Sequence, residues 1–531
     1  MVFNAIHSAG RQWGSSLYHN GFGFFPATVP TGTMFYHGAR QNQTPTGPEW
    51  LAFEVEHAEN FARSFRFKYG RKPFPGVRPP PGNGKPGKQK VMPGAEMFRE
   101  ELRRRSEHEL NNDRNEGGFD SSDLADDSPP VNFRGYLHTY QTNRELSVLL
   151  IDGMSAGKTS MGTLDSQDLL LRENNTDDGA MDEWHRALDL CDVAAEWGFD
   201  GFARVEIGFE IIKCNFSSGL DLVSMMRTEL YDNMMGEHDL SLFRWARAVG
   251  ERYNDIGGDR LRIDFSSMVS GLFFPINISS TNAERPDLLR LGAATLDELK
   301  DLKAYLKDVV HQPRRFTVNW QGVVDLVVSR YSKRLAFMTW ESLSWHYFID
   351  EIEAATLTWV DAPRQPDDVA LTEQELNRTA DAIERCRTHY LRPALLAKKR
   401  WSLEDELIYT SIDAVLGNIC RELFSVRSRL LEASGSSLND YKIKGSKDKT
   451  ELNNAVEKGR SAIKGLVESL GWSVWTQPQP CPPDEMPFIA MWPFGAEEDH
   501  WHPGCRSIDQ IQHPANTYWR RRTKGKAHSR T

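Results

Sequence analysis

The sequence predicts an α+β fold: a β-rich N-terminal domain split by a long insertion, followed by a mainly helical domain. Three observations predict it. Short apolar runs bounded by Gly and Pro fill the region before residue 225. One segment, Lys68 to Pro130, is so rich in Pro, Gly and charge that it cannot bury enough surface to offset its chain entropy. Beyond residue 290 the apolar residues recur with helical spacing and few breakers. The expected organisation is 1–67 and 132–232 for the two parts of the β-rich domain, 68–131 for a disordered insertion, 233–475 for the helical domain and 476–531 for an irregular tail.

The elements follow in order. GTMFYHG and EWLAFEV read as short strands, and His57 to Phe65 as a helix with Ala58, Phe61, Ala62 and Phe65 on one face. After the insertion, GYLHTYQ and LSVLLID read as two strands. Glu183 to Trp197 is a helix whose Trp184, Ala187, Leu188, Cys191 and Ala195 share a face. GFARVEI and FEIIKCNF complete the strand set. Helical periodicity then marks Thr295–Val310, Gly322–Leu335, Leu343–Ala355, Thr372–Tyr390 and Leu403–Leu431. Ser402 stands where an N-cap for the last of these is needed, with Glu404 and Asp405 in the first turn.

Composition bounds the function classes. The 531 residues are 39% hydrophobic and 26% charged, which excludes collagen-like, coiled-coil and wholly disordered chains. No run approaches the ~18 apolar residues of a membrane span, and the first 20 residues lack the pattern of a secretory signal. The net charge of −10 argues against general coating of nucleic acid. Six scattered cysteines read as thiols of a reducing compartment, so a cytoplasmic location is expected. Cys191 and Cys214, within apolar patterns, read as buried inert thiols, and Asn-x-Ser/Thr triplets such as Asn174-Asn175-Thr176 then carry no meaning.

The order of the N-terminal pieces is the most informative feature. Tyr36-His37-Gly38 ends a strand, PEWLAFEVEHAENFA gives a strand and a helix, and FDGFARVEIGFEIIKC places Glu210 at the start of an apolar strand. In this order the chain resembles the ADP-ribosyltransferase superfamily, especially its H-Y-E branch, over roughly 30–67 and 132–225. The resemblance implies NAD as substrate, with Tyr36, His37, Gly38 and Trp50 as its binding residues. His37 and Gly38 would hold the nicotinamide ribose and amide, Trp50 would stack on the nicotinamide, and His37 and Glu210 would be the catalytic pair. The logic is that cleaving the N-glycosidic bond builds positive charge on the ribose, which a fixed carboxylate stabilises, while cationic nicotinamide favours an aromatic face. The sequence departs from the family in having Trp at the aromatic position. No Glu-x-Glu or Gln-x-Glu ends at Glu210; Glu206 stands four residues before it. The partner would be a small molecule or a protein acceptor, and neither a metal nor a membrane is implied.

Phrases such as LLIDGMSAGKTSMGTLDSQD and NWQGVVDLVVSRY resemble a large family of ascomycete fungal proteins, and such proteins often belong to secondary metabolism. That resemblance raises an alternative, a tRNA-dependent arginine-containing cyclodipeptide synthase, although its Asp-Asp-x-x-Glu motif is not matched at Asp177-Asp178. A further alternative is a non-catalytic binding module on the same fold, favoured if Glu210 is turned away from His37. Three other patterns read blandly. GMSAGKTS has three residues between its glycines where a phosphate loop needs four, so it reads as a flexible loop with an exposed Lys158. Cys481, His500, His502 and Cys505 lack the spacing of a zinc site. The basic tail from Arg520 to Lys526 reads as a solvated terminus.

Overall fold

The structure, a computed structural model, describes residues 1–531 except 60, 67–130, 160, 175–181, 229–245, 253–254, 282–285, 287, 362–370, 435–445, 479, 489–501 and 512–531. The insertion expected at 68–131 therefore lies outside the described residues except for Val131, and so does the basic tail. The chain forms two compact units. One comprises Met1–Ser8, Phe265–Met268 and Arg314–Thr476; the other comprises Ala9–Asp264, Val269–Pro313 and Gln477–Thr531.

The second unit is built on a mixed sheet, ten-stranded among the described residues. Its strands are β1 (Asn20–Val29), β2 (Met34–Ala39), β3 (Glu49–Ala52), β6 (Tyr136–Thr142), β7 (Leu146–Gly153), β8 (Gly201–Glu206), β9 (Gly208–Lys213), β10 (Leu220–Arg227), β11 (Arg262–Ile263) and β12 (Val269–Ser270). They run in the order β10-β6-β2-β3-β9-β8-β7-β1-β11, with β12 also on β1; the β7–β8 pair is parallel. Two hairpins stand apart, β4 (Arg63–Arg66) with β5 (Val131–Arg134) and β13 (Glu485–Phe488) with β14 (Gly504–Ser507). Helices α2 (Gln12–Leu17), α3 (Val55–Glu59), α4 (Glu183–Trp197) and α5 (Leu296–Val310) complete the unit, with a π-helical turn at Ser166–Leu171. The expected helix over 57–65 is thus shorter: it ends at Glu59, and Arg63–Arg66 is extended.

One face of the sheet carries a large apolar core. Phe22, Phe24, Leu149, Ile151, Phe202 and Ile212 point from the strands into Leu170 and Leu171, into α4 through Ala187, Leu190, Ala194 and Trp197, and into α5 through Leu299, Leu302 and Leu306. This packing explains a departure from the expected boundary at 233. The spacing of α5 is helical as predicted, but its apolar stripe is spent on the sheet, so α5 belongs to the β-rich unit. A capping box, Thr295 with Glu298, starts it.

The first unit is helical: α1 (Val2–Ser8), α6 (Trp320–Met338), α7 (Trp345–Thr356), α8 (Leu371–Thr388), α9 (Leu403–Ser434) and α10 (Ser446–Leu470). Ser402 caps α9 as expected. Asp405 N donates to Ser402 Oγ at 3.1 Å, and Ser402 N donates back to Asp405 Oδ2 at 3.1 Å. Trp320, Tyr331, Leu335, Ile412, Leu416 and Leu423 lie in the core.

The cysteines require a correction. All six are paired: Cys191–Cys214, Cys386–Cys420 and Cys481–Cys505, with Cα separations of 5.4, 6.0 and 5.6 Å. Spacing along the chain hid this, because each bridge joins parts that the fold brings together: α4 to the end of β9, α8 to α9, and the segment just before β13 to β14.

Candidate functional site

Strand register decides which expected site residues meet. Tyr36 lies opposite Ala52, Ala52 opposite Glu210, and Trp50 opposite Ile212, so Tyr36, Trp50 and Glu210 share one face of three adjacent strands. α3 packs on this face at Tyr36 and Ala52, and the cluster that includes α4 packs on it at Trp50. His37 lies opposite His138 and projects from the other face. The structure therefore brings Trp50 and Glu210 together and separates both from His37. Gly38 has its own explanation: a Cβ there would sit 2.1 Å from the Ala58 carbonyl oxygen, so the residue is set by the close approach of α3.

Around Glu210 the face is ionic. Arg204, its cross-strand partner, donates from Nε to Glu210 Oε1 (2.9 Å), from Nη1 to Gln167 Oε1 (3.1 Å) and from Nη2 to Glu183 Oε2. Arg186 donates to Glu183 and clasps Asp168 through Nε and Nη2, both at 2.8 Å. Lys158 Nζ lies 3.5 Å from Glu183 Oε1 and 3.6 Å from Glu206 Oε2. The side chains of Lys158, Glu183, Arg186 and Arg204 are at most 1% exposed, whereas those of Glu206 and Glu210 retain 14% and 13%. Two carboxyls thus form the solvent edge of a buried ionic layer.

Their surroundings differ. Burial pushes the Glu206 carboxyl up to about 7; Lys158 pulls it back, while Glu210 and Glu183 add to the rise. Glu206 Oε1 is buried and has no hydrogen-bond partner among the described residues. Glu210, by contrast, has Arg204 against it. Beneath them, burial raises Glu183, but Arg204, Lys158 and Arg186 outweigh it and hold that carboxyl far below the usual range. His57 on α3 donates to the Phe209 carbonyl beside Glu210; burial lowers its imidazole against the pull of Glu210 and that hydrogen bond.

Local sequence builds this edge. Arg204 and Glu206 alternate on β8, so both side chains leave the same face. The chain then turns at Ile207 and Gly208, where φ is +88°, a conformation glycine adopts freely. Gln12 on α2 clamps the turn: its Nε2 donates to Glu206 O at 2.6 Å and its Oε1 accepts from Gly208 N at 2.8 Å. Trp50 is half-buried beside this layer, with the ring of Trp184, next to Glu183, 6.4 Å away.

On the opposite face His37 donates from Nδ1 to the Trp50 carbonyl at 2.9 Å, and its buried Nε2 has no partner among the described residues. Its ring meets His138 at 5.6 Å and Phe216 at 5.4 Å. Burial lowers its imidazole to about 4, against the Trp50 hydrogen bond and with His138 adding to the fall. Nearby, burial pushes the Tyr140 hydroxyl up to about 12, against a hydrogen bond with Thr44.

The loop after β7 also departs from expectation. Lys158 is buried, not exposed, and the loop is pinned: Met154 N donates to His19 O (2.9 Å) and Ala156 N to Val205 O (2.8 Å). Those N–H groups are committed within the protein and do not converge on a phosphate site. Cys481 and Cys505 form a disulfide, and His500 lies outside the described residues. Among the described residues no group of three or more His, Cys, Asp or Glu is placed to hold a metal, and no helix is long and apolar enough to cross a membrane.

Sequence reasoning missed Lys158, Arg204, Glu183, Gln12 and His57. The available signal was the pair of charges, Arg204 and Glu206, on an otherwise apolar strand in the middle of the sheet.

Residues 1–240 match the family model of the YPL277C N-terminal domain. All the residues of the ionic layer fall inside this matched region. The chain is 26% identical to the Saccharomyces cerevisiae protein YOR389W, over 94% of this chain and 83% of that one. It is 34% identical to YPL277C of the same yeast over 42% of each chain, so it spans less than half the length of that relative. Both relatives are named as uncharacterized proteins. These matches support a fungal family. No solved structure matches the chain.

Proposed function

We propose that the β-rich unit cleaves an N-glycosidic bond to a flat heteroaromatic base, with NAD as the substrate class and Glu206, Glu210 and Trp50 as the working residues. The observation that carries this reading is the pair of carboxyls in unlike surroundings at one strand turn, Glu206 raised to about 7 and Glu210 bound by Arg204. Glu210 supplies fixed negative charge as the ribose becomes an oxocarbenium ion. The C–N electron pair leaves with nicotinamide, which departs neutral and needs no proton. The incoming hydroxyl gives its proton to Glu206 as the new C–O bond forms. Trp50 offers the aromatic face. His37, on the far face, takes no part.

Nicotinamide release from NAD by the purified chain tests this, with water alone and with added acceptor proteins. The expected outcome is release that falls by roughly 100-fold or more in Glu210→Ala, with Glu206→Gln losing the pH dependence. The separation of His37 from Glu210 supports a second reading, a binding module that holds a base-containing ligand without breaking it. NAD binding with no release, unchanged by Glu206→Gln, selects that reading and removes the first.

A further inference from the structure

All six cysteines are paired, in both units and in the last hairpin. Scattered disulfides that each staple a separate part of a chain persist in oxidising compartments and are rare where glutathione keeps thiols reduced. The same route is where Asn-x-Ser/Thr triplets become sugar acceptors. The sequence holds five, beginning at Asn42, Asn174, Asn215, Asn277 and Asn377. Three of them, Asn42-Gln43-Thr44, Asn215-Phe216-Ser217 and Asn277-Ile278-Ser279, lie wholly within the described residues. In each, both the asparagine and the hydroxyl residue are exposed.

The geometry at Asn215 is the most specific. It directly follows the bridged Cys214, and the buried Phe216 anchors the loop against His37 and Tyr140. Asn215 and Ser217 are thereby turned outward on either side of an inward ring. Asn215 Oδ1 accepts from Ser217 N at 3.0 Å and from its Oγ at 2.6 Å, so the carbonyl side of the amide is engaged within the loop. At Asn277 the Oδ1 accepts from Ser279 N at 3.0 Å. A bulky glycan on any of these three nitrogens extends into solvent and displaces no core residue.

We propose that this chain passes through an oxidising secretory route and carries N-linked glycans at Asn42, Asn215 and Asn277. The chemistry is transfer from a lipid-linked oligosaccharide diphosphate by the host's transferase. The asparagine Nδ2 forms a bond to the anomeric carbon and loses one proton. The carbon–oxygen bond to the diphosphate breaks, and the lipid diphosphate leaves with that electron pair.

The test is to purify the full chain, tagged at its C-terminus, from a fungal host. Half is treated with a peptide amidase that converts glycosylated asparagine to aspartate, and its peptides are mapped by mass spectrometry. The remainder is alkylated before and after reduction. The expected result is conversion at these asparagines, one step of gel mobility lost with each Asn→Gln substitution, and no cysteine labelled until the protein is reduced. Unconverted asparagine at all three positions overturns the proposal, and so does labelling of all six cysteines without reductant. Because each Asn→Gln change is made on the exposed surface, loss of a mobility step is separable from loss of folding, which circular dichroism of the same sample checks.

Discussion

Glu49 opens β3 with 3% of its surface exposed, its Oε2 has no partner among the described residues, and burial pushes its carboxyl up to about 8. Its cross-strand neighbour, Lys213, does not neutralise it, since that ammonium lies 3.4 Å from Asp200 and donates to Asn215 O at 2.8 Å. The folded state therefore holds this proton well above the ordinary value of 4.5, and the unfolded chain does not. For a carboxyl raised in this way, stability is complete at low pH and is lost as pH climbs from the unfolded value through the folded one. At pH 7 roughly two and a half units separate the solution pH from the unfolded value. At ~1.4 kcal/mol per unit, that costs about 3 kcal/mol. Glu49→Gln removes the ionisation while keeping shape and hydrogen-bonding capacity. Urea unfolding followed by tryptophan fluorescence at half-unit intervals from pH 4.5 to 8.5 reads the difference between the two proteins. The expected curves coincide at the acid end and separate upward from about pH 5, with Glu49→Gln the more stable by about 3 kcal/mol at pH 7. A difference independent of pH, or a variant less stable at pH 8, would refute the assignment of a buried protonated Glu49.

Other outcomes follow from the same contacts. Nicotinamide release, if the proposed chemistry holds, rises with pH through an apparent value about 7 as Glu206 becomes a base, and Glu206→Gln abolishes that limb; a flat profile in the parent protein removes Glu206 from the role. Gly38→Ala drives a methyl group into the Ala58 carbonyl and costs about 3 kcal/mol, read as a lower unfolding midpoint. Gln12→Ala leaves Glu206 O and Gly208 N without their partner and costs about 1–3 kcal/mol; a drop in kcat with KM little changed then identifies Gln12 as a positioning residue for Glu206. Removing the Cys386–Cys420 bridge, whose cysteines are 34 residues apart, by Cys386→Ala together with Cys420→Ala lowers the stability of the α8–α9 pair by about 4 kcal/mol, read as a lower unfolding midpoint than that of the parent protein.

Much of the architecture was legible because it is local. The strands GYLHTYQ, LSVLLID and GFARVEI and the helices at 183–197 and 403–431 all stand where alternation or 3.6-residue spacing placed them. What failed was non-local. The strand β1, NGFGFFPATV, has a Pro and two Gly inside it and is buried on both sides, so neither alternation nor clean boundaries announce it. The polar α10 hides its stripe of Leu452, Val456, Ile463, Leu466 and Leu470 among charged residues. At the site, the sequence supplies only the order His37, Trp50, Glu210, and the side to which each residue points depends on register. A single-residue difference in parity put His37 on the face away from Glu210.

The ionic layer under α4 bears on what the site is for. Burying Lys158, Glu183, Arg186 and Arg204 together costs several kcal/mol of desolvation per ion, and their mutual contacts roughly recover it; an apolar layer of the same volume does as well for stability alone. The arrangement is not symmetric in the way a purely structural cluster could be. Three buried cations are shared between the fully buried Glu183 and another acid: Arg204 between Glu183 and Glu210, Lys158 between Glu183 and Glu206, and Arg186 between Glu183 and Asp168, while Arg172 joins Asp168 to Asp189. Glu183 is the common anchor, and the first two links lead from it to the two carboxyls that retain contact with solvent. With Gln12 fixing the turn from the backbone side, both carboxyls are held from below and along the chain, and Glu206 Oε1 is buried with no hydrogen-bond partner among the described residues. Such a layer fixes charge at an edge without reorganisation, which is the property that catalysis by electrostatic stabilisation requires and that simple packing does not.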